Sequence, residues 1–170
     1  MPTPEHDASD TLDPNGPART DAPAVDEDLQ LAATTDVPVL ISGDPAASLE
    51  LACELHRRGA PSNPAVVLID CRHHAAAARL APAIAEPLRG SRPGRKAVLL
   101  LEVHALREDA QALLEERLEL SLLHRRDTGF RAIASSSVPL FDRVTEGRFR
   151  ERLYYFLNMI HIVVPPPAEG

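Results

Sequence analysis

The chain has no tryptophan, and only two tyrosines and four phenylalanines among its 170 residues. A packed interior must therefore come from leucine, valine, isoleucine and alanine, which are plentiful enough for a sizeable core. Two cysteines, Cys53 and Cys71, are too few for a disulfide framework and suit a reducing cytosol. No apolar run approaches the roughly 20 residues that a membrane-spanning helix needs. The amino terminus is acidic and has no apolar centre, which argues against a signal peptide. Strong basic character is also missing, so nothing provides the electrostatic footprint of a nucleic-acid surface. The expectation is a soluble, cytoplasmic protein with no membrane contact and no direct DNA binding.

What charge excess there is lies at the start. Residues 1–30 carry five prolines and eight acids against the single Arg19, a net of −7 that equals the formal charge of the whole chain. With no aromatic and scarcely any aliphatic side chain, this stretch cannot bury enough surface to offset the entropy of ordering it. It reads as a disordered, proline-rich acidic tail, followed by one domain over residues 31–170.

Within that domain five short apolar runs stand out: Val37–Ser42, Ala65–Asp70, Ala97–Val103, Phe130–Ser135 and Met159–Val164. Most are continuously apolar, as strands buried on both faces of a parallel sheet are. The segments between them have helical spacing, clearest in Glu108–His124, where Leu106, Leu113, Leu114, Leu118 and Leu122 form one stripe. Ser48–Arg58 reads as a shorter helix. Leu140–Leu157 reads as two short helices around Gly147, and Arg72–Arg89 as at most a broken helix because of Pro82 and Pro87. Alternating strands and helices predict a three-layer α/β sandwich around a five-stranded parallel sheet.

The first strand leads into Gly43-Asp44-Pro45-Ala46-Ala47-Ser48-Leu49-Glu50, where such a domain would hold a phosphate loop. That loop reads G-x-x-x-x-G-K-[ST], so that backbone N–H groups cradle the phosphates and a lysine reaches their outer oxygens. Here Ser48 replaces the second glycine and Leu49 the lysine. Further on, Gly147-Arg148-Phe149-Arg150-Glu151-Arg152-Leu153-Tyr154-Tyr155-Phe156-Leu157-Asn158 precedes Ile160 and Pro165-Pro166. This stretch resembles the G-x-F-R-x-D-L-Y-Y-R-L-N segment of the central AAA+ ATPase domain of sigma-54-dependent transcriptional activators, the bacterial enhancer-binding proteins. Leu55-His56-Arg57, Asp70-Cys71, Gln111 with Leu113-Leu114, and Arg131-Ala132-Ile133-Ala134 match in order and spacing.

The resemblance implies an AAA+ P-loop-like core and assigns roles by position. Gly43, Asp44, Ser48, Leu49 and Glu50 are the remnant of a nucleotide-binding loop. In Val98-Leu99-Leu100-Leu101-Glu102-Val103 the magnesium-side aspartate has become Leu101, while the water-activating glutamate remains as Glu102. Ser137 takes the sensor I position. Arg150 is what remains of a pair of trans-acting arginine fingers, the second being Phe156. The family's sigma-contacting G-A-F-T-G-A loop would fall in Arg72–Lys96, which has neither Phe nor Thr. Against the family's pattern this sequence is expected to lack the helical lid and the DNA-binding module, and the domain reads as truncated.

Other residue groups carry less. Cys71, His73 and His74, with Cys53 and His56, lack the ligand spacing of a closed zinc site, so no metal is expected. Ser135-Ser136-Ser137 has no nucleophile-elbow context. Arg125-Arg126 and Arg92–Lys96 are short basic clusters that read as solvated faces. The expectation is a non-catalytic pseudo-ATPase module with no cofactor, acting in transcription control by associating with itself or with an intact AAA+ activator of the sigma-54 type. The alternative is a residual nucleotide binder or weak ATPase, in which ATP and magnesium would still be bound. Arg150 either serves a neighbouring subunit's site as a finger or pairs locally with Glu146 or Glu151. Phe149, Leu153 and Leu157, at four-residue spacing, are expected to pack inward, leaving Arg150 and Tyr154 on the adjacent stripe free to meet a partner.

Overall fold

The computed structural model describes residues 22–59, 65–85, 96–124 and 129–166. Five strands, β1 (Val39–Ser42), β2 (Val66–Asp70), β3 (Lys96–Leu101), β4 (Phe130–Ser136) and β5 (Ile160–Val163), form one sheet in the order β2-β3-β4-β1-β5. Every pairing is parallel, with Val39 opposite Ile133 and Ile160, and Leu99 opposite both Leu68 and Ile133. Among the described residues six α-helices lie around it: α1 (Ala22–Ala33), α2 (Pro45–Gly59), α3 (Ala76–Ile84), α4 (Glu108–Leu122), α5 (Leu140–Thr145) and α6 (Glu151–Leu157). Among the described residues only Val164–Pro166 follow β5, so no helical lid is seen. The three-layer parallel α/β sandwich is as expected.

Alternation along each strand divides the core in two. Val39, Ile41, Leu99, Ile133 and Ile162 face α1 and α2, where Leu29, Ala52 and Leu55 meet them. Leu40, Ile69, Val98 and Leu100 face the other way, onto Leu80 of α3, Leu114 and Leu118 of α4 and Leu153 of α6. Phe149, just before α6, and Leu153 and Leu157 within it are buried, as their four-residue spacing implies.

Two sequence expectations change. Residues 22–30, assigned to the disordered tail, belong to α1; residues 1–21 lie outside the described residues. Val25, Leu29 and Ala32 recur at i, i+4 and i+7 and lay one face on the domain, with Leu29 and Ala32 buried. The acids stand on the remaining faces, and Asp26 pairs with Arg58 of α2 at 2.9 Å. Burying Leu29 contributes about 1.5–3 kcal/mol, which composition averaged over thirty residues conceals. Second, α3 runs through Pro82 to Ile84. The helix ends two residues after the proline, whose missing N–H leaves the carbonyl four residues before it without a helical partner. The basic clusters at 92–95 and 125–126 lie outside the described residues.

Candidate functional site

The site is built from the turns at the carboxyl ends of β1, β3 and β4. After β1 only two residues precede α2. Gly43 adopts φ +143°, and its N–H donates to the Ser136 carbonyl at 3.2 Å. A Cβ there would lie 2.9 Å from both Cβ and carbonyl oxygen of Val164. Asp44 then caps the helix: its Oδ2 accepts the Ala47 N–H at 3.0 Å, and its carbonyl accepts the Ser48 N–H at 2.8 Å. Pro45 opens α2 at the first helical position, where a missing N–H costs nothing. The helix thus begins three residues earlier than the Ser48 start read from the sequence. A cradle needs a run of loop N–H groups free to point at an anion. Here the Ala47 and Ser48 donors are taken within the turn, and a carboxylate already occupies the positive end of the helix. Ser48 is buried with its hydroxyl unpartnered, Leu49 is half-buried and Glu50 exposed.

Behind this turn stands Glu102, held in the left-handed region at φ 53° and only 3% exposed. Such a backbone costs of order 1–3 kcal/mol and persists only where its surroundings enforce it. They do so with three serines and a histidine. The Glu102 N–H donates to Ser135 Oγ at 3.4 Å, and Ser137 Oγ donates to Glu102 Oε2 at 2.5 Å. His104 Nδ1 lies 3.6 Å from the same oxygen and 3.1 Å from Ser136 Oγ. Burial keeps the His104 pKa below the ordinary imidazole value; the Glu102 charge opposes this, while Arg143 and Arg72 reinforce it. Cys71 is also buried here. Desolvation, then the charges of Asp70 and Glu102, push its thiol up to about 12, so it packs as an apolar group. Cys53 is exposed on α2.

Ser136 and Ser137 also line a cleft of about 270 Å³ with Ser42, Gly43, Val138, Pro139, His161 and Val163. Ser42 Oγ and His161 Nε2 are hydrogen-bonded at 2.8 Å, and burial lowers the His161 pKa. Neither His104, Ser42 nor His161 is legible as a site in the sequence, because the three come together only through strand order. Among the described residues no group of three or more His, Cys, Asp or Glu side chains is arranged to hold a metal ion.

Arg150 lies elsewhere and is not free. Its Nε and Nη2 each donate to a different oxygen of Glu115 at 3.0 Å, a bidentate pair, and Nη1 donates to Glu108 at 2.7 Å. Its partners are thus on α4, not Glu146 or Glu151 as expected. Gln111, 1% exposed, completes the seam. Its amide donates to the Leu106 and Arg148 carbonyls at 2.8 and 3.1 Å and accepts the Arg150 N–H at 2.9 Å. The Gly147–Arg150 turn, released from α5 by Gly147 at φ +70°, is clamped against the start of α4. Tyr154, the other residue expected to be free, is half-buried and accepts a hydrogen bond from Asn158. What α5, α6 and the following turn do expose is Phe141, Tyr155 and Met159.

The sigma-54 interaction domain family matches this chain over residues 20–166. Two nitric oxide reductase transcription regulators of Cupriavidus necator, NorR2 and NorR1, are 30% and 29% identical to it over 167 residues. The match covers 84% of this chain and 31% of each regulator, so the chain spans about a third of the length of these curated relatives. Among solved structures, NtrX from Brucella abortus in complex with ADP superposes with a TM-score of 0.66 at 18% identity, covering 85% of this chain and 36% of that one. The P-loop NTPase domain of an E. coli sigma-54 activator superposes at 0.63 and 21% identity, covering 84% and 94%. At these identities the structures establish the shared fold.

Proposed function

Because the chain belongs to the sigma-54 interaction domain family, we propose that it is a non-catalytic member of that family: a cytoplasmic module that acts in transcription control through protein contacts. The observation that carries this reading is the two-residue link from β1 to α2, in which Asp44 accepts the N–H that a phosphate would need and places its own charge at the helix end. Three further features support it. By the resemblance read in the sequence, Leu49 takes the place of the phosphate-loop lysine and Leu101 that of the metal-holding aspartate. Glu102, aligned with the residue that activates water, is buried and bonded to Ser137. With Leu101 where that aspartate would stand, the charge neutralisation by magnesium that phosphoryl transfer depends on is not supplied. Neither ATP nor magnesium is then required.

Association with another copy, or with an intact AAA+ activator of the sigma-54 type, would use the outer surface of α5 and α6. Arg150 is committed to α4, so Phe141 and Tyr155, 47% and 55% exposed, are the contact residues in this reading. The rival reading, a residual nucleotide binder, rests on the α2 amino terminus, whose dipole still favours anions.

Purified full-length protein should release no phosphate from ATP above background, with or without magnesium, and Leu49→Lys should not restore turnover. Magnesium-dependent hydrolysis abolished by Glu102→Gln would refute the non-catalytic reading. A co-expressed sigma-54 activator should be retained by the wild-type chain and lost by Phe141→Ala/Tyr155→Ala. Equal retention by both would remove the proposed contact surface.

A further inference from the structure

Counting hydrogens around Ser136 assigns a tautomer. A serine hydroxyl carries one hydrogen, and that of Ser136 goes to the Val138 carbonyl at 2.6 Å. The 3.1 Å contact between Ser136 Oγ and His104 Nδ1 must therefore be filled by a hydrogen on Nδ1. Nε2 is then the bare nitrogen of a neutral ring, and the one that takes up a proton from solvent. The Ser137 hydrogen is likewise committed, to Glu102 Oε2. Glu102 Oε1 is buried with no partner, an arrangement costly for a carboxylate. One buried carboxylate thus stands 3.6 Å from an imidazole, each of them bonded to a neighbouring serine on the rim of the same cleft.

We propose that His104 and Glu102 form a proton-operated latch on the Ser136–Ser137 rim: when His104 Nε2 takes up a proton, the ring and the carboxylate draw together as an ion pair, and both serine hydroxyls give up a contact. At neutral pH the ring is neutral, Nδ1–H points to Ser136, and Glu102 holds Ser137. The added charge favours Nδ1–H bonding to Glu102 Oε2, which loosens Ser137 towards the cleft and leaves Ser136 without its donor. The opposing charges are Arg143 of α5 and Arg72 after β2. Arg72 is itself paired with Asp70 at 2.8 Å, Cys71 remains a neutral thiol, and β4 contributes only hydroxyls. Across the cleft His161 of β5 is bonded to Ser42 and titrates separately. Burial of His104 sets the transition on the acid side of the usual imidazole range, near pH 6.5. The latch does not depend on whether the chain binds nucleotide.

The test is a proton–nitrogen NMR titration of the full chain, following the histidine ring protons together with the Ser136 and Ser137 amides. The expected result is that both rim amides shift with the His104 midpoint, below pH 6.5, and not with that of His161. Glu102→Gln should move the His104 midpoint further down, because it removes the attractive charge. His104→Gln should abolish the rim transition and His161→Asn should leave it intact. Rim amides that follow His161 or do not move, or a His104 midpoint unchanged or raised by Glu102→Gln, would overturn the proposal. Should Glu102→Gln fail to fold, the two histidine variants decide the matter alone.

Discussion

Arg150→Ala should destabilise the domain substantially, although the position looks like a surface arginine. The substitution removes two parallel hydrogen bonds to Glu115 and one to Glu108. The two carboxylates are not equally placed: the Glu108 side chain is 69% exposed and that of Glu115 only 9%. Water replaces arginine at Glu108, so that contact contributes about 0–1 kcal/mol. At Glu115 the loss leaves a largely buried carboxylate with only the Leu153 N–H and the more distant Arg152 charge, and breaking such a pair costs about 3–5 kcal/mol when burial is complete. The arginine is 36% exposed and water can enter behind it, so a net loss of about 2 kcal/mol is the reasonable figure. For a domain of this length that corresponds to roughly 4–8 °C in Tm. Urea denaturation followed by circular dichroism measures it. A cycle with Glu115→Gln should return a coupling of about 1–2 kcal/mol, because the neutral amide tolerates the loss of the guanidinium. A Tm shift below about 1 °C, or additive single variants, would refute the reasoning and return Arg150 to the solvent-facing role its sequence context implies.

Arg131→Met should detach α1 without unfolding the sheet: amide exchange over residues 24–33 should rise towards that of free helix, while β3 and β4 remain protected. Gly43→Ala should cost at least about 1–3 kcal/mol in thermal denaturation, since both φ +143° and the 2.9 Å approach of Val164 oppose a Cβ. Stability should fall as pH drops below about 6.5. His104 and His161 both have lowered pKa values in the fold, so over that range the unfolded chain binds more protons and stability rises with pH. Replacing both histidines with glutamine should flatten this part of the profile in pH-dependent urea melts.

Strand positions were legible because all five are apolar runs flanked by polar or turn residues, and β3 and β4 are buried almost throughout. The start of α2 is written as Asp44-Pro45, a capping residue followed by the proline favoured at the first helical position, but the same residues fall where a phosphate loop would run, and that pattern places the helix start later. α1 was hidden because its acids, Asp26, Glu27 and Asp28, continue the acidic run that precedes it, and only the spacing of Val25, Leu29 and Ala32 carries the signal. The Arg150 pairing could not be read, since Glu115 and Glu108 lie 35 and 42 residues away and nearer acids offered themselves. The Glu102 cluster was half visible: Glu102 and Ser137 were both singled out, but their direct bond depends on β3 and β4 being neighbours.

Arg131, at the base of β4 and 7% exposed, reaches back across the sheet. Its guanidinium donates to the Ala32 carbonyl at 2.6 Å and to the Val37 carbonyl at 3.3 Å, so it fastens the end of the first described helix from 99 residues downstream. On a ribosome this order has a temporal meaning. Synthesis at about 5–20 residues per second leaves α1 waiting several seconds for its clasp. Through that interval Val25, Leu29 and Ala32 have no finished seat, and the acids on the other faces of the helix keep the nascent segment in water. The charge that disguised α1 as tail is what lets it survive until β4 arrives.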